Sequence, residues 1–229
     1  MALANTSGGL PDGAASRKAE ARRRLRRART RLSTEELASR GRALAETLQA
    51  HLSPAATVLG YLPMPGEPEV TEFLSRHTCA SGEVLVPVTR PSPTPALVWT
   101  RWRPGSETEL AGSLPLREPV GERLETEQAL TLRNGPSAVL VPALALDTGG
   151  ARLGQGGGYY DRFAQQLGDL APALRPELIG VIHAEELMEP GAFPVEPHDL
   201  QVEMILTEHG LDHPEPGGYS SDPPAETGV

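Results

Sequence analysis

The chain carries 229 residues, with 30 Asp and Glu against 21 Lys and Arg for a formal net charge of −9, 38% hydrophobic residues and a single cysteine. That length suits one domain with a full core, and the acidic balance speaks against a general nucleic-acid binder. One cysteine excludes an intramolecular disulfide and a cysteine-based zinc cluster, and no apolar run approaches the roughly 20 residues of a membrane span, so the expected setting is the cytoplasm with no membrane partner.

Residues 1–15, "MALANTSGGLPDGAA", and 213–229, "HPEPGGYSSDPPAETGV", lack apolar periodicity and read as disordered tails around a single domain, 16–212. The domain opens on "RKAEARRRLRRARTR", Arg17 to Arg31. A segment this basic suits an RNA-binding arm, a transit peptide or a solvated helix. Ala21, Leu25, Ala28 and Leu32 recur at helical spacing, which favours a helix with one face packed on a core. Lys18 and Arg22, four apart, flank that stripe, where long side chains reach from a packed face into a neighbouring cleft; the other arginines are expected in solvent.

"STEE", Ser33 to Glu36, predicts a capping box, followed by a second helix to about His51 with Leu37, Leu44 and Leu48 on its buried side. Short apolar runs then alternate with helical segments: "TVLGYL" (57–62), a helix near "EVTEFLSRHT", and then "EVLVPV" (83–88), "ALVWTRW" (96–102), "SAVLVPALAL" (137–146), "LIGVIH" (178–183) and "EMILTE" (203–208). Continuous runs of this kind predict strands buried on both faces. The expected fold is α/β: a three-layer open, mostly parallel sheet with helices on both faces. Cys79, at the end of the third helix, is read as a buried apolar filler. Trp99 and Trp102, three apart in a strand, point to opposite faces, so at most one can line a pocket.

In open α/β sheets ligands sit beyond the C-terminal strand ends, which directs attention to "PMPGEPE" and "DTGGARLGQGGGYYDR". The second loop sets four glycines, Gly154, Gly156, Gly157 and Gly158, ahead of the helix-like "YYDRFAQQLGDL". A glycine loop opening into a helix N-terminus is either an anion cradle or a structural turn. It is not a Walker loop, because Tyr159 and Tyr160 follow the last glycine, and a dinucleotide fingerprint begun at Gly154 would need glycine at Tyr159.

Taken together and in this order, Lys18 with Arg22, "YLPMPGEPEV", "VPALALDTGGARLGQGGGYYDR" and "VEPHDLQVEMILTE" resemble the 5-formyltetrahydrofolate cyclo-ligase family, also called methenyltetrahydrofolate synthetases, from Lys18 to about Glu208. "RLGQGGGYYDR" is the most specific element. The resemblance implies a fold shared with sugar-phosphate isomerases and CoA transferases. It also implies ATP- and magnesium-dependent closure of 5-formyltetrahydrofolate to 5,10-methenyltetrahydrofolate; the expected partners are small molecules only, and the expected state is a monomer or weak dimer. Carried over by position, Lys18, Arg22, Arg152, Leu153, Gly154, Gln155, Gly156, Gly157, Gly158, Tyr159 and Tyr160 are expected to hold ATP, with Arg152 and Tyr160 acting at the reacting groups. Asp161 and Asp199 match the magnesium positions. Leu62, Met64, Glu67, Trp102 and Tyr160 are assigned to the folate pocket.

Gln155 and Gly157 stand where some relatives carry basic residues, so the loop leans on Arg152, Lys18 and magnesium for charge. Glu69 reads as helix N-terminal charge, Arg162 as solvent-facing and His198 as a surface histidine beside Asp199. Two readings from other classes stand beside this one. A phosphosugar or CoA enzyme of related fold would also use a glycine loop, and a non-catalytic relative would use the basic helix to bind RNA.

Overall fold

The computed structural model describes residues 13–90, 96–110, 117–132, 137–196 and 199–216. Two helices lead, α1 (Gly13–Arg29) and α2 (Thr34–His51), followed by β1 (Thr57–Leu59), α3 (Thr71–Cys79), β2 (Glu83–Arg90) and β3 (Ala96–Arg101). A short ribbon of β4 (Thr108–Leu110) and β5 (Arg117–Pro119) precedes α4 (Thr126–Leu130) and β6 (Ser137–Pro142). Next come β7 (Ala145–Asp147), β8 (Arg152–Leu153), α5 (Tyr159–Gly168), β9 (Glu177–Val181), β10 (Leu187–Met188), β11 (Met204–Thr207) and β12 (Gly210–Asp212).

The central sheet runs β12-β11-β9-β6-β1-β2-β3. Its five inner strands are parallel and both edges are antiparallel. The sequence explains the two-sided burial through its alternation. Val58, Val84, Val86, Ala138, Leu140, Ile179 and Val181 meet Leu44, Leu48, Phe73 and Leu74 of α2 and α3 on one face. Leu59, Leu85, Val139, Val141 and Ile205 meet Leu130, Phe163 and Leu167 of α4 and α5 on the other. A period of two in the strands therefore yields the three expected layers.

The "SAVLVPALAL" run is two strands rather than one. The ladder of β6 ends at Pro142, which has no N–H to continue it, and the chain re-enters a small second sheet, β10-β7-β8. Helix α1 lies against that small sheet, with Leu25 packed on Leu144, Ala145, Leu153 and Phe193.

This packing corrects the expected stripe on α1. Ala28 is exposed and the buried side carries Lys18, Leu25 and Arg29, because the surface opposite is rich in carboxylates that pair with the cations. Helix α1 also begins at Gly13, ahead of the anticipated boundary, while residues 1–12 lie outside the described ones. At the other end Glu215 donates its amide to the Thr148 carbonyl, so contacts continue past Asp212 as far as Glu215; 217–229 fall outside the described residues. The capping box forms as predicted: Ser33 accepts from the Glu36 amide and Glu36 accepts from the Ser33 amide. Cys79 is exposed, contrary to the expected core filler, because Phe73, Leu74 and His77 take the inward face of α3. Among the described residues no helix is long and apolar enough to cross a membrane.

Candidate active site

Strand β1 is followed in space by β2 on one side and β6 on the other, so the connections leaving β1 and β6 diverge and open a crevice at the C-terminal edge of the sheet. A cavity of about 570 Å³ fills it. Its floor comes from Tyr61, Leu62 and Met64 after β1, from Pro87 and Thr89 of β2, and from Pro142 of β6. The glycine loop after β8 and the cationic side of α1 close it from above.

The loop takes shape through two left-handed residues. Gly156 at φ 99° and Gly158 at φ 66° occupy backbone that a side chain would strain, and Gly158 is the N-cap of α5 with no side chain capping it. The first amides of α5 therefore lack intrahelical acceptors, and their residues Tyr159, Tyr160 and Asp161 line the cavity, which is the setting for a bound anion.

Around that cradle stand four cations. Arg152 is buried, donates from Nε to the Pro142 carbonyl at 2.9 Å and lies over the Tyr160 ring, 4.9 Å from its centroid. Burial pulls the Arg152 guanidinium below its ordinary value, opposed by Asp161, whose Oδ1 is 3.7 Å from Nη1. Arg22 donates from Nε to the Gly154 carbonyl at 2.9 Å. Arg26 donates from Nε to Gln155 Oε1 and from Nη2 to the Gln155 carbonyl, both at 2.9 Å. Lys18 reaches Asp199 Oδ2 at 2.7 Å and Glu196 Oε2 at 2.8 Å. Burial lowers the Lys18 pKa, but these two carboxylates outweigh it and hold the ammonium above its usual range.

A second polar cluster ties α1 to the β1–α3 connection at the Met64 end of the cavity. Arg29 is buried and grips both oxygens of Glu186, at 2.7 and 2.8 Å, while its Nη1 has no hydrogen-bond partner among the described residues and lies 3.7 Å from Glu67 Oε1. The other ties of Glu67 run to the Met64 amide, which donates to Oε2 at 3.1 Å, and to Gln155, whose Nε2 donates to Oε1 at 3.0 Å. One carboxylate thus joins α1, the β1–α3 connection and the glycine loop. Burial raises the Tyr160 phenol above its ordinary pKa, so it is a neutral donor, and its buried Oη has no partner among the described residues.

All of the expected nucleotide residues, Lys18, Arg22 and Arg152 through Tyr160, line this one cavity together with Leu62, Met64, Glu67, Asp161 and Asp199. Trp102 does not. It packs in the core with Val84 and Leu44, on the α2–α3 face, while Trp99 lies on the α4–α5 face against Phe163; the alternation held, and neither ring borders the cavity. Glu69 accepts from the Thr71 amide at the start of α3, as its N-terminal position implied. Arg162 is half-buried, stacked over Tyr159 and donating to the Gly157 carbonyl. His198 lies outside the described residues.

Arg26, Arg29, Tyr61, Thr89 and Arg117 were not anticipated. Arg26 had a signal, since it continues the four-residue spacing of Lys18 and Arg22. It also offsets the missing charge in the loop: a guanidinium from α1 is hydrogen-bonded to Gln155 itself. Arg117 comes from a separate ribbon and had no sequence signal.

Comparison with known proteins agrees with this architecture. A family model described as the 5-formyltetrahydrofolate cyclo-ligase family matches residues 14–208. The 5-formyltetrahydrofolate cyclo-ligase of Mycolicibacterium smegmatis is 36% identical over 171 residues, spanning 71% of this chain and 81% of the relative. The Escherichia coli K12 protein of that name is 27% identical over 185 residues, spanning 80% and 96%. The NMR structure of Aquifex aeolicus 5,10-methenyltetrahydrofolate synthetase superposes with a TM-score of 0.67 at 24% identity, covering 92% of this chain and 99% of that one, a likeness of fold. With the family model spanning almost the entire described core, the chain belongs to the 5-formyltetrahydrofolate cyclo-ligase family of enzymes.

Proposed function

We propose that this chain closes 5-formyltetrahydrofolate to 5,10-methenyltetrahydrofolate at the expense of ATP, releasing ADP and phosphate. The observation that carries the reading is the convergence on one cavity of an uncapped helix N-terminus with its glycine loop and a carboxylate, Glu67, set beside apolar Leu62 and Met64. The first suits phosphates, and the second suits the N–H groups of a pterin in an apolar slot.

The formyl oxygen is a poor leaving group. Transfer of the γ-phosphoryl group to it makes a phosphate ester of the iminium form. The folate N10 lone pair then attacks the former formyl carbon, and the C–O bond breaks. Phosphate departs with the proton lost by N10, and the N5–C–N10 bridge is left as the methenyl cation. Positioning and charge stabilisation suffice for such a sequence. Arg152 and the α5 amides would hold the transferring group, Lys18 and Arg22 the remaining phosphates, and the neutral Tyr160 phenol would donate to the oxygen in transit. Arg26 and Gln155 would keep the loop closed over the site and exclude water.

Magnesium fits the residues present. Asp161 and Asp199 offer hard oxygen ligands at the phosphate end, and among the described residues no group of three or more His, Cys, Asp or Glu is placed to hold an ion unaided. That donor set suits an ion completed by phosphate oxygens and water, which would neutralise charge on the phosphates when bound. The test of the chemistry is oxygen tracing. With the formyl group labelled in heavy oxygen, the label should appear in the released phosphate; label recovered in water or retained in the folate would overturn transfer to the formyl oxygen.

A further inference from the structure

The cavity has two chemically different ends. On the β6 and β8 side it is crowded with cations and backbone amides. On the β2 and β3 side its wall is Pro87, Thr89 and Leu97, and the cation on that rim is Arg117 of β5. Arg117 comes from a different part of the fold than the glycine loop, since β5 belongs to a separate two-stranded ribbon that packs on β2.

This guanidinium is held ready for a ligand. Its Nε donates to Thr108 Oγ1 at 2.8 Å and its Nη2 to the Thr108 carbonyl at 2.7 Å, which fixes the plane of the group from one side. The strand under it is pinned as well. Glu118, the next residue, is buried and accepts from both the amide and the hydroxyl of Thr89, at 2.8 and 2.7 Å, in the cavity wall. Among the described residues no carboxylate pairs with Arg117. Among the described residues nothing accepts from the end-on fork of Nη1 and the second N–H of Nη2, a planar pair of donors whose geometry matches a carboxylate.

We infer that Arg117 is a specificity-determining residue that binds a carboxylate on the glutamate tail of the substrate. This rests on the proposed reaction. With the pterin beside Glu67 and Met64, the flat wall of Pro87 and Leu97 takes the aminobenzoyl ring, and the tail carboxylates reach the rim where Arg117 stands. The site therefore selects folates that carry free glutamate carboxylates over neutral ones.

The experiment compares 5-formyltetrahydrofolate with its analogue in which both glutamate carboxylates are capped as amides, on the parent enzyme and on Arg117→Ala. The parent should show a KM about tenfold lower for the acid than for the diamide. Arg117→Ala should lose that preference while keeping the parent kcat on the diamide and the parent melting temperature. A preference that survives in Arg117→Ala overturns the inference. Titration calorimetry of the two compounds without ATP separates the two claims. A protein that turns over neither compound but binds the acid more tightly, in an Arg117-dependent way, keeps the subsite and sinks only the reaction; equal binding of both compounds sinks the subsite.

Discussion

Asp161 illustrates how one side chain can serve both fold and chemistry. It sits in the first turn of α5, where a carboxylate favours the helix N-terminus, and it also lines the cavity beside the glycine loop. Asp161→Asn keeps the shape and removes the charge. Turnover should fall on the order of 100-fold while the denaturation midpoint moves little, and undiminished turnover would remove Asp161 from the phosphate chemistry. Arg29 predicts the opposite balance. Arg29→Ala leaves Glu186 buried without its partner, so unfolding by denaturant should show a loss of about 3–5 kcal/mol; unchanged stability would contradict the buried pairing. The tyrosines give a pH dependence. Burial raises Tyr61 and Tyr160 above the usual value of about 10. A raised folded pKa contributes stability that is fully present below the unfolded value and is lost as pH rises toward the folded one. Alkaline titration followed by phenolate absorbance should find both groups protonated until the chain unfolds at high pH. Ionisation of all tyrosines near the ordinary value in the folded protein would contradict their burial.

Helix α1 was legible in its period but not in its register. The sequence marks Lys18 and Arg22 as neighbours, yet the apolar stripe drawn from Ala21 to Leu32 points Ala28 inward, whereas Arg29 occupies that side. Arg29 is held there by Glu186, 157 positions away, a pairing that no local pattern encodes. The tryptophans teach a related lesson. Alternation placed Trp99 and Trp102 on opposite faces, but which layer borders the cavity depends on the order of strands, and that order is a tertiary fact. The glycine loop was readable because its needs are local: positive φ at Gly156 and Gly158, and free amides entering α5. Helix α2 offers a simple check of element stability. Ser33→Ala removes the acceptor for the Glu36 amide and should lower stability by about 1 kcal/mol, read as a shift in thermal midpoint without loss of activity. Gly41 was opaque in the sequence; a methyl there would meet the Glu69 carbonyl at 2.8 Å, so its place in a helix interior reflects the close passage of the β1–α3 connection.

Over the whole molecule the charge distribution follows from the cavity. A chain with net charge −9 gathers Lys18, Arg22, Arg26 and Arg152 on one side of a single crevice, a concentration of positive charge that suits the phosphates of the proposed reaction, and α1 forms a wall of that crevice rather than an arm in solvent. The same topology that diverges the β1 and β6 connections opens the space between a cationic end and an apolar end, so the fold and the proposed reaction share one geometric origin. The measurement that tests this most directly mixes the purified chain with 5-formyltetrahydrofolate, ATP and magnesium and follows the near-ultraviolet absorbance of the methenyl product, omitting each component in turn. Absorbance should grow only in the complete mixture, with one ADP formed per methenyl group. No absorbance change in the complete mixture, with nucleotide still bound, would contradict the assigned substrate and reaction.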